Sequence, residues 1–214
     1  MVTRRDFLKT MSMASAGLAL GAGDLLHAQT ISPKKGRGDK VKIAYIGIGN
    51  RGEQIIEDFA RTGMVEVVAL CDVDMGAKHT QKIMAKYPKA KQFRDFRQMF
   101  DKAGNEFDAV AIATPDHSHF PISMLALASG KHVYVEKPFT STVKEAEELH
   151  ELAKELNLII HVDHIMIFHP VIRKIKELID NGELGDILFI DAMRMNLGQI
   201  KKDVSAMWDL AVHD

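Results

Sequence analysis

A single cysteine, Cys71, occurs among 214 residues, so no disulfide can close within the chain. Excess charge of one sign is also missing: 28 Lys and Arg stand against 29 Asp and Glu, a net charge of −1. That balance excludes a strongly basic surface, and with it nucleic acid as an expected partner. There is no internal repeat, and no low-complexity tract outside the N-terminal stretch. What remains is ordinary globular composition, 46% hydrophobic, with room for one full domain and part of another. Cys71 ends an apolar run with no partner in the sequence, which suits a small core residue better than a nucleophile.

The first residues read as a targeting segment. Thr3-Arg4-Arg5-Asp6-Phe7-Leu8-Lys9 precedes an uncharged stretch, Thr10 to Gly23, rich in Ala, Gly, Met and Leu. A charged start before a short apolar segment is the pattern of a signal peptide, too short to span a bilayer comfortably. The pair Arg4-Arg5 resembles a twin-arginine export signal, which implies the twin-arginine translocation machinery as a partner and a periplasmic or exported location. That route carries folded proteins, so it suits a protein that acquires its nucleotide in the cytoplasm. Residues 29–40, with Pro33, Lys34, Lys35, Gly36 and Gly38, read as a linker.

The strongest local signal is IAYIGIGNRG over residues 43–52. An apolar strand ends in Gly47-Ile48-Gly49-Asn50-Arg51-Gly52, and a helical pattern follows. This is G-x-G-x-x-G between a strand and a helix. Gly47 permits the tight turn, Gly49 lets a pyrophosphate approach the backbone, and Gly52 lets the helix pack against the strand. Asn50 and Arg51, in the same loop, are counted with them as nucleotide-binding residues. A second apolar run, Val65 to Leu70, ends at Cys71-Asp72, and Asp72 lies 20 residues beyond Gly52. A carboxylate there accepts from an adenosine ribose 2′-OH and repels a 2′-phosphate. The expected cofactor is therefore NAD, with NADP the poorer fit.

Downstream, strands and helices alternate. Strands are expected over 41–46, 65–71, 108–113, 132–135 and 158–162. Helices are expected near 51–62 and 75–86, over 93–100, 120–129 and 143–156, and from Pro170 to Asn181-Gly182, where Val171, Ile175 and Leu178 form a buried face. A last strand is expected from Ile187 towards Met195. The fold class is α/β: a Rossmann dinucleotide-binding domain with a parallel sheet over 41–164. A signal and linker over 1–40 precede it, and 165–214 begin a second, substrate-holding domain. The chain stops at Trp208-Asp209-Leu210-Ala211-Val212-His213-Asp214, where a new helix starts and no polar tail follows, so truncation within that second domain is expected.

Three sites carry chemistry. Thr114-Pro115-Asp116-His117-Ser118-His119 follows a buried strand at the edge where open α/β sheets bind ligands, and Thr114 and Pro115 can wall the nicotinamide-ribose side. His117 and His119 are too few for a metal site, so no metal is expected. His119 caps or packs at the following helix and is counted with the cofactor-binding residues. Glu136-Lys137-Pro138 follows the next strand at the same edge. Lys137 there can reach both cofactor and substrate, with Glu136 orienting it, and Pro138 fixes the turn in a form that could be cis. Asp209 and His213, spaced i, i+4, share a helix face and make a plausible proton-transfer pair.

GIGNRG, CDVD, ATPDHSH, VEKPFT and WDLAVHD, in this order, resemble the glucose–fructose oxidoreductase/inositol dehydrogenase (Gfo/Idh/MocA) family. The resemblance covers nearly all of residues 41–214, and EKP and the terminal D-x-x-x-H are its most specific motifs. It implies an N-terminal Rossmann domain followed by an open mixed sheet that holds substrate, and in the full-length form a homo-oligomer. It assigns Lys137 to cofactor and substrate, and Asp209 and His213 to the catalytic pair, with His213 the base. It places Arg194, Asn196 and Gly198 on the substrate side. The activity implied is that of an NAD-dependent oxidoreductase acting on a sugar or cyclitol. Two alternatives stay open. The twin-arginine start and NRG are similar to exported glycosidases that use bound NAD in a transient oxidation, and a non-catalytic NAD-binding fragment is the third reading.

Overall fold

A computed structural model describes residues 40–191 and 193. Arg4, Arg5, Arg194, Asn196, Gly198, Asp209 and His213 lie outside the described residues. Six strands, β1 (Val41–Ile46), β2 (Val65–Cys71), β3 (Lys91–Phe93), β4 (Ala109–Ile112), β5 (His132–Val135) and β6 (Ile160–Val162), form one sheet in the order β3-β2-β1-β4-β5-β6. Every pairing is parallel. This is the order of a doubly wound sheet, with the direction of winding reversing between β1 and β4.

Parallel strands need long crossovers, and helices supply them. The helices are α1 (Arg51–Arg61), α2 (Lys78–Lys86), α3 (Phe96–Ala103), α4 (His119–Ala128), α5 (Val143–Glu155) and α6 (Pro170–Asp180). β1 is buried on both faces, and its alternation sorts the core into two layers. Ile43 and Tyr45 pack with Ile48, Ile55, Ile56, Leu70 and Ile83 on one face. Ala44 and Ile46 pack with Met99, Phe107, Ile122, Leu127 and Leu149 on the other. Ile56 is fully buried, a side chain worth about 1.5–3 kcal/mol. α5 starts on a capping box in which Thr142 and Glu145 exchange bonds with each other's backbone, a motif worth about 1 kcal/mol.

Several expectations are corrected. The helix expected from 75 begins at Lys78, after a turn over residues 73–77. Phe93 is in β3, not in a helix, and α3 begins at Phe96 because Asp95 caps it by accepting from the Arg97 amide. No strand forms at residues 187–191. Leu188, Phe189 and Ile190 there are more than 80% exposed, so the apolar run finds no ladder partner among the described residues. Val171 and Ile175 of α6 are exposed rather than buried, although the helix starts at Pro170 and ends at Asn181 as expected.

Candidate functional site

The reversal between β1 and β4 opens a cleft of about 410 Å³ at the carboxyl edge of the sheet. Gly47, Gly49, Asn50, Asp72, Thr114 and Pro115 all line it. The glycine loop is held open for a ligand by packing. Gly47 has φ +79°, and a Cβ there would stand 2.5 Å from the Ala113 carbonyl oxygen. Gly52 lies against the carbonyl of Gly47, leaving no room for a methyl group. The Gly52 amide donates to the Gly49 carbonyl at 2.9 Å, and the Gly47 amide to the Cys71 carbonyl at 2.8 Å. The loop therefore feeds directly into the amino end of α1, where free N–H groups suit an anion.

Asp72 stands at the end of β2. One carboxylate oxygen accepts from the Ile48 amide at 3.0 Å, and the other from the Asp74 amide at 2.9 Å. These bonds fix the acid at the cleft and leave lone pairs for a ribose hydroxyl. His117 and Ser118, from the expected segment after β4, line the cleft too, and it adds residues that sequence reasoning missed: Val73, His79, Arg94 and Phe96. His79, in the first turn of α2, lays its ring over Gly49. No motif spacing marks His79 or Arg94, because each reaches the cleft from a different crossover.

Other expected contacts go elsewhere. His119 is fully buried. Its Nδ1 lies 2.8 Å from the Pro138 carbonyl oxygen and its Nε2 2.9 Å from the Thr114 carbonyl oxygen. It ties the loop after β4 to the loop after β5, in place of a nucleotide contact. The Lys137–Pro138 peptide is cis.

Arg51 does not point to the cleft either. Its Nε donates to Glu136 Oε1 at 2.5 Å, and another guanidinium nitrogen bonds Asp163. Glu136 and Asp163 are both buried, and both accept from the same guanidinium. Burial and the neighbouring Asp163 push the Glu136 carboxyl up, against the pull of Arg51. Burial also opposes charge on Asp163, yet bonds from Glu136, Arg51 and Tyr134 hold it below the ordinary carboxylate range. The two carboxyls therefore face one guanidinium from the ends of neighbouring strands, with opposite shifts. Glu136 is thus a partner of Arg51, and its second oxygen accepts from the Lys137 amide at 3.1 Å.

The parallel order, the glycine loop and the acid closing β2 together define a dinucleotide-binding Rossmann domain. Residues 41–164 match the Gfo/Idh/MocA family, described as "Oxidoreductase family, NAD-binding Rossmann fold". The chain belongs to this family of NAD-binding oxidoreductases. It is 30% identical over 169 residues to a glycosyl hydrolase family 109 protein of Shewanella pealeana, covering 72% of this chain and 37% of that protein. It is likewise 30% identical over 172 residues to the alpha-N-acetylgalactosaminidase of Shewanella oneidensis, again covering 72% of this chain and 37% of the relative. The chain thus spans well under half the length of these relatives. Among solved structures, the scyllo-inositol dehydrogenase of Lactobacillus casei with bound NAD(H) and scyllo-inositol superposes with a TM-score of 0.60 at 26% identity, over 69% of this chain and 43% of that one. The myo-inositol 2-dehydrogenase of Lactobacillus plantarum shares the fold at 23% identity and a TM-score of 0.62, over 70% of this chain and 43% of that one.

Proposed function

We propose that the protein moves a hydride between a hydroxyl-bearing carbon of a sugar or cyclitol and a nicotinamide. The observation that supports this best is the cleft, which gathers Gly47, Gly49, Asp72, Thr114 and Pro115 in one lining. NAD, when bound, supplies the hydride acceptor. The loop amides and the start of α1 take its pyrophosphate. Asp72 accepts from the ribose and disfavours a 2′-phosphate, so NADP is the weaker ligand. Lys137 holds the nicotinamide ribose and the substrate hydroxyl. Outside the described residues, His213 serves as the base for the hydroxyl proton, Asp209 acts with it, and Arg194 and Asn196 bind the substrate.

A second reading has its own support. The Shewanella relatives are a glycosyl hydrolase family 109 protein and an alpha-N-acetylgalactosaminidase. In that case the same hydride step is transient and serves cleavage of a glycosidic bond. A panel of free sugars, cyclitols and aryl glycosides, offered with NAD or NADP, separates the readings. NADH accumulating with an oxidised sugar identifies a dehydrogenase. Aglycone release without net NADH identifies a hydrolase. Tight NAD binding with neither product across the panel would sink both in favour of a non-catalytic nucleotide-binding role.

The arginine pair supports export of the folded, nucleotide-loaded protein. Replacing Arg4→Lys together with Arg5→Lys keeps the charge but should leave the precursor in the cytoplasm on fractionation. Undiminished export of the double variant would remove the twin-arginine assignment.

A further inference from the structure

Arg51 sits at the first turn of α1, in the loop where a pyrophosphate is expected, and its charge would suit a phosphate ligand. The structure turns it away. Its three guanidinium nitrogens go to Glu136 at 2.5 Å, to Asp163, and to Gln54 Oε1 at 3.1 Å. Glu136 and Asp163 lie 85 and 112 residues further along the chain. They stand just beyond β5 and β6, so one side chain joins the glycine loop to the carboxyl ends of two neighbouring strands. Both acids are buried, at 7% and 5% exposure. Each is held in turn. The second Glu136 oxygen accepts from the Lys137 amide at 3.1 Å, and the Asp163 amide donates to the Val135 carbonyl at 2.9 Å. Tyr134 hydrogen-bonds to Asp163 and stacks on His161 at 5.4 Å between ring centres.

We propose that Arg51 is a positioning residue for Lys137: it fixes Glu136 at the start of the Glu136-Lys137-Pro138 turn and so sets where the lysine meets the nicotinamide ribose, without itself binding the pyrophosphate. The proposal rests on the reading of Lys137 given above. Its physical basis is the fork of the guanidinium. A planar cation holds two carboxylates on separate nitrogens in fixed directions, a geometry that the compact, rotatable ammonium of a lysine does not reproduce. The glycine loop and the lysine turn then move as one unit, and a nucleotide ordering the first also orders the second.

The test uses three ligands that differ at one end. ADP carries the adenosine and the pyrophosphate. ADP-ribose adds the second ribose, and NAD adds the nicotinamide. Each is titrated calorimetrically into the wild-type protein, Arg51→Lys, Glu136→Gln and the double variant, with a thermal melt to verify folding. NAD and ADP-ribose should bind Arg51→Lys about tenfold more weakly, the worth of one charge-assisted hydrogen bond, while ADP stays within about twofold. Glu136→Gln, which keeps its shape, should give the same pattern, and the double variant should be no weaker than either single one. Loss of ADP in step with NAD in either variant would mean that Arg51 serves the phosphates or the fold at large, and overturns the proposal. Unchanged NAD affinity, or additive losses in the double variant, overturns it as well. A wild-type protein that holds ADP as tightly as ADP-ribose defeats the ribose role of Lys137 before any variant is made, and with it the proposal.

Discussion

Gly52→Ala should weaken NAD binding by roughly 100-fold or more. A Cβ at Gly52 would overlap the carbonyl oxygen of Gly47 and stand 2.8 Å from its carbonyl carbon. The neighbour is backbone, and that backbone is pinned. Gly47 donates to Cys71, and its positive φ already places it against Ala113. Relief must come from moving α1 away from the strand or from opening the loop, and either pulls the amides out of line with a pyrophosphate. An overpacked core site costs about 1–3 kcal/mol, and the upper end of that range corresponds to about two orders of magnitude in Kd. Gly104→Ala is the matching control, because a Cβ there meets nothing within 4 Å. Calorimetric titration of both variants with NAD checks the expectation. Equal affinity for NAD in Gly52→Ala and wild type would show that the close approach of loop and helix does not shape the site.

The second large effect is chemical. Cys71 should react with a disulfide reagent at pH 8 about a thousandfold more slowly in the native protein than in denaturant. The thiol is only 3% exposed. Burial, then the carboxylates of Asp95 and Asp72, pushes its pKa up to about 12. Only the thiolate attacks, and an ordinary thiol near pKa 8.5 is roughly a quarter ionised at pH 8, against about one part in ten thousand for a pKa of 12. Steric exclusion slows the reaction further. With one cysteine in 214 residues, the colour released reads a single site. A native rate within tenfold of the denatured one would mean that the end of β2 opens to solvent, and would undo the assignment of Cys71 as an inert core residue beside the cleft.

The parts of this site that could be read in the sequence share a physical property: each depends on residues close together in the chain. The glycine spacing, the apolar run before it and the acid closing the next strand all report one β-α-β unit, so their pattern survives without knowledge of the rest. The parts that stayed hidden depend on distant residues. Nothing around Arg51 announces that its partners are Glu136 and Asp163. Its place in the loop suggested a nucleotide contact, and tertiary pairing decided otherwise. His119 shows the same limit, since the Pro138 carbonyl it meets comes from another crossover. β3 escaped notice for a different reason. Its three residues, Lys91 to Phe93, sit at the sheet edge with the two polar ones exposed, so no apolar run marks them. The reverse error arose at Ile187 to Ile190, where an apolar run suggested a strand. Apolar character alone supplies no hydrogen-bonding neighbour.

The strand order also sets a timetable. Of the six strands β1 is made first, yet it lies in the middle of the sheet, with β4 on one side. The bond from the Lys42 amide to Asp108, which anchors that side, spans 66 residues. At about 5–20 residues per second, β1 waits roughly three to thirteen seconds for this neighbour to be made. The glycine loop rests on Ala113 just past that neighbour, so for those seconds the nascent chain has an apolar central strand without its cover. The cleft for a nucleotide is complete only once this segment is made, since Ala113, Thr114 and Pro115 line it.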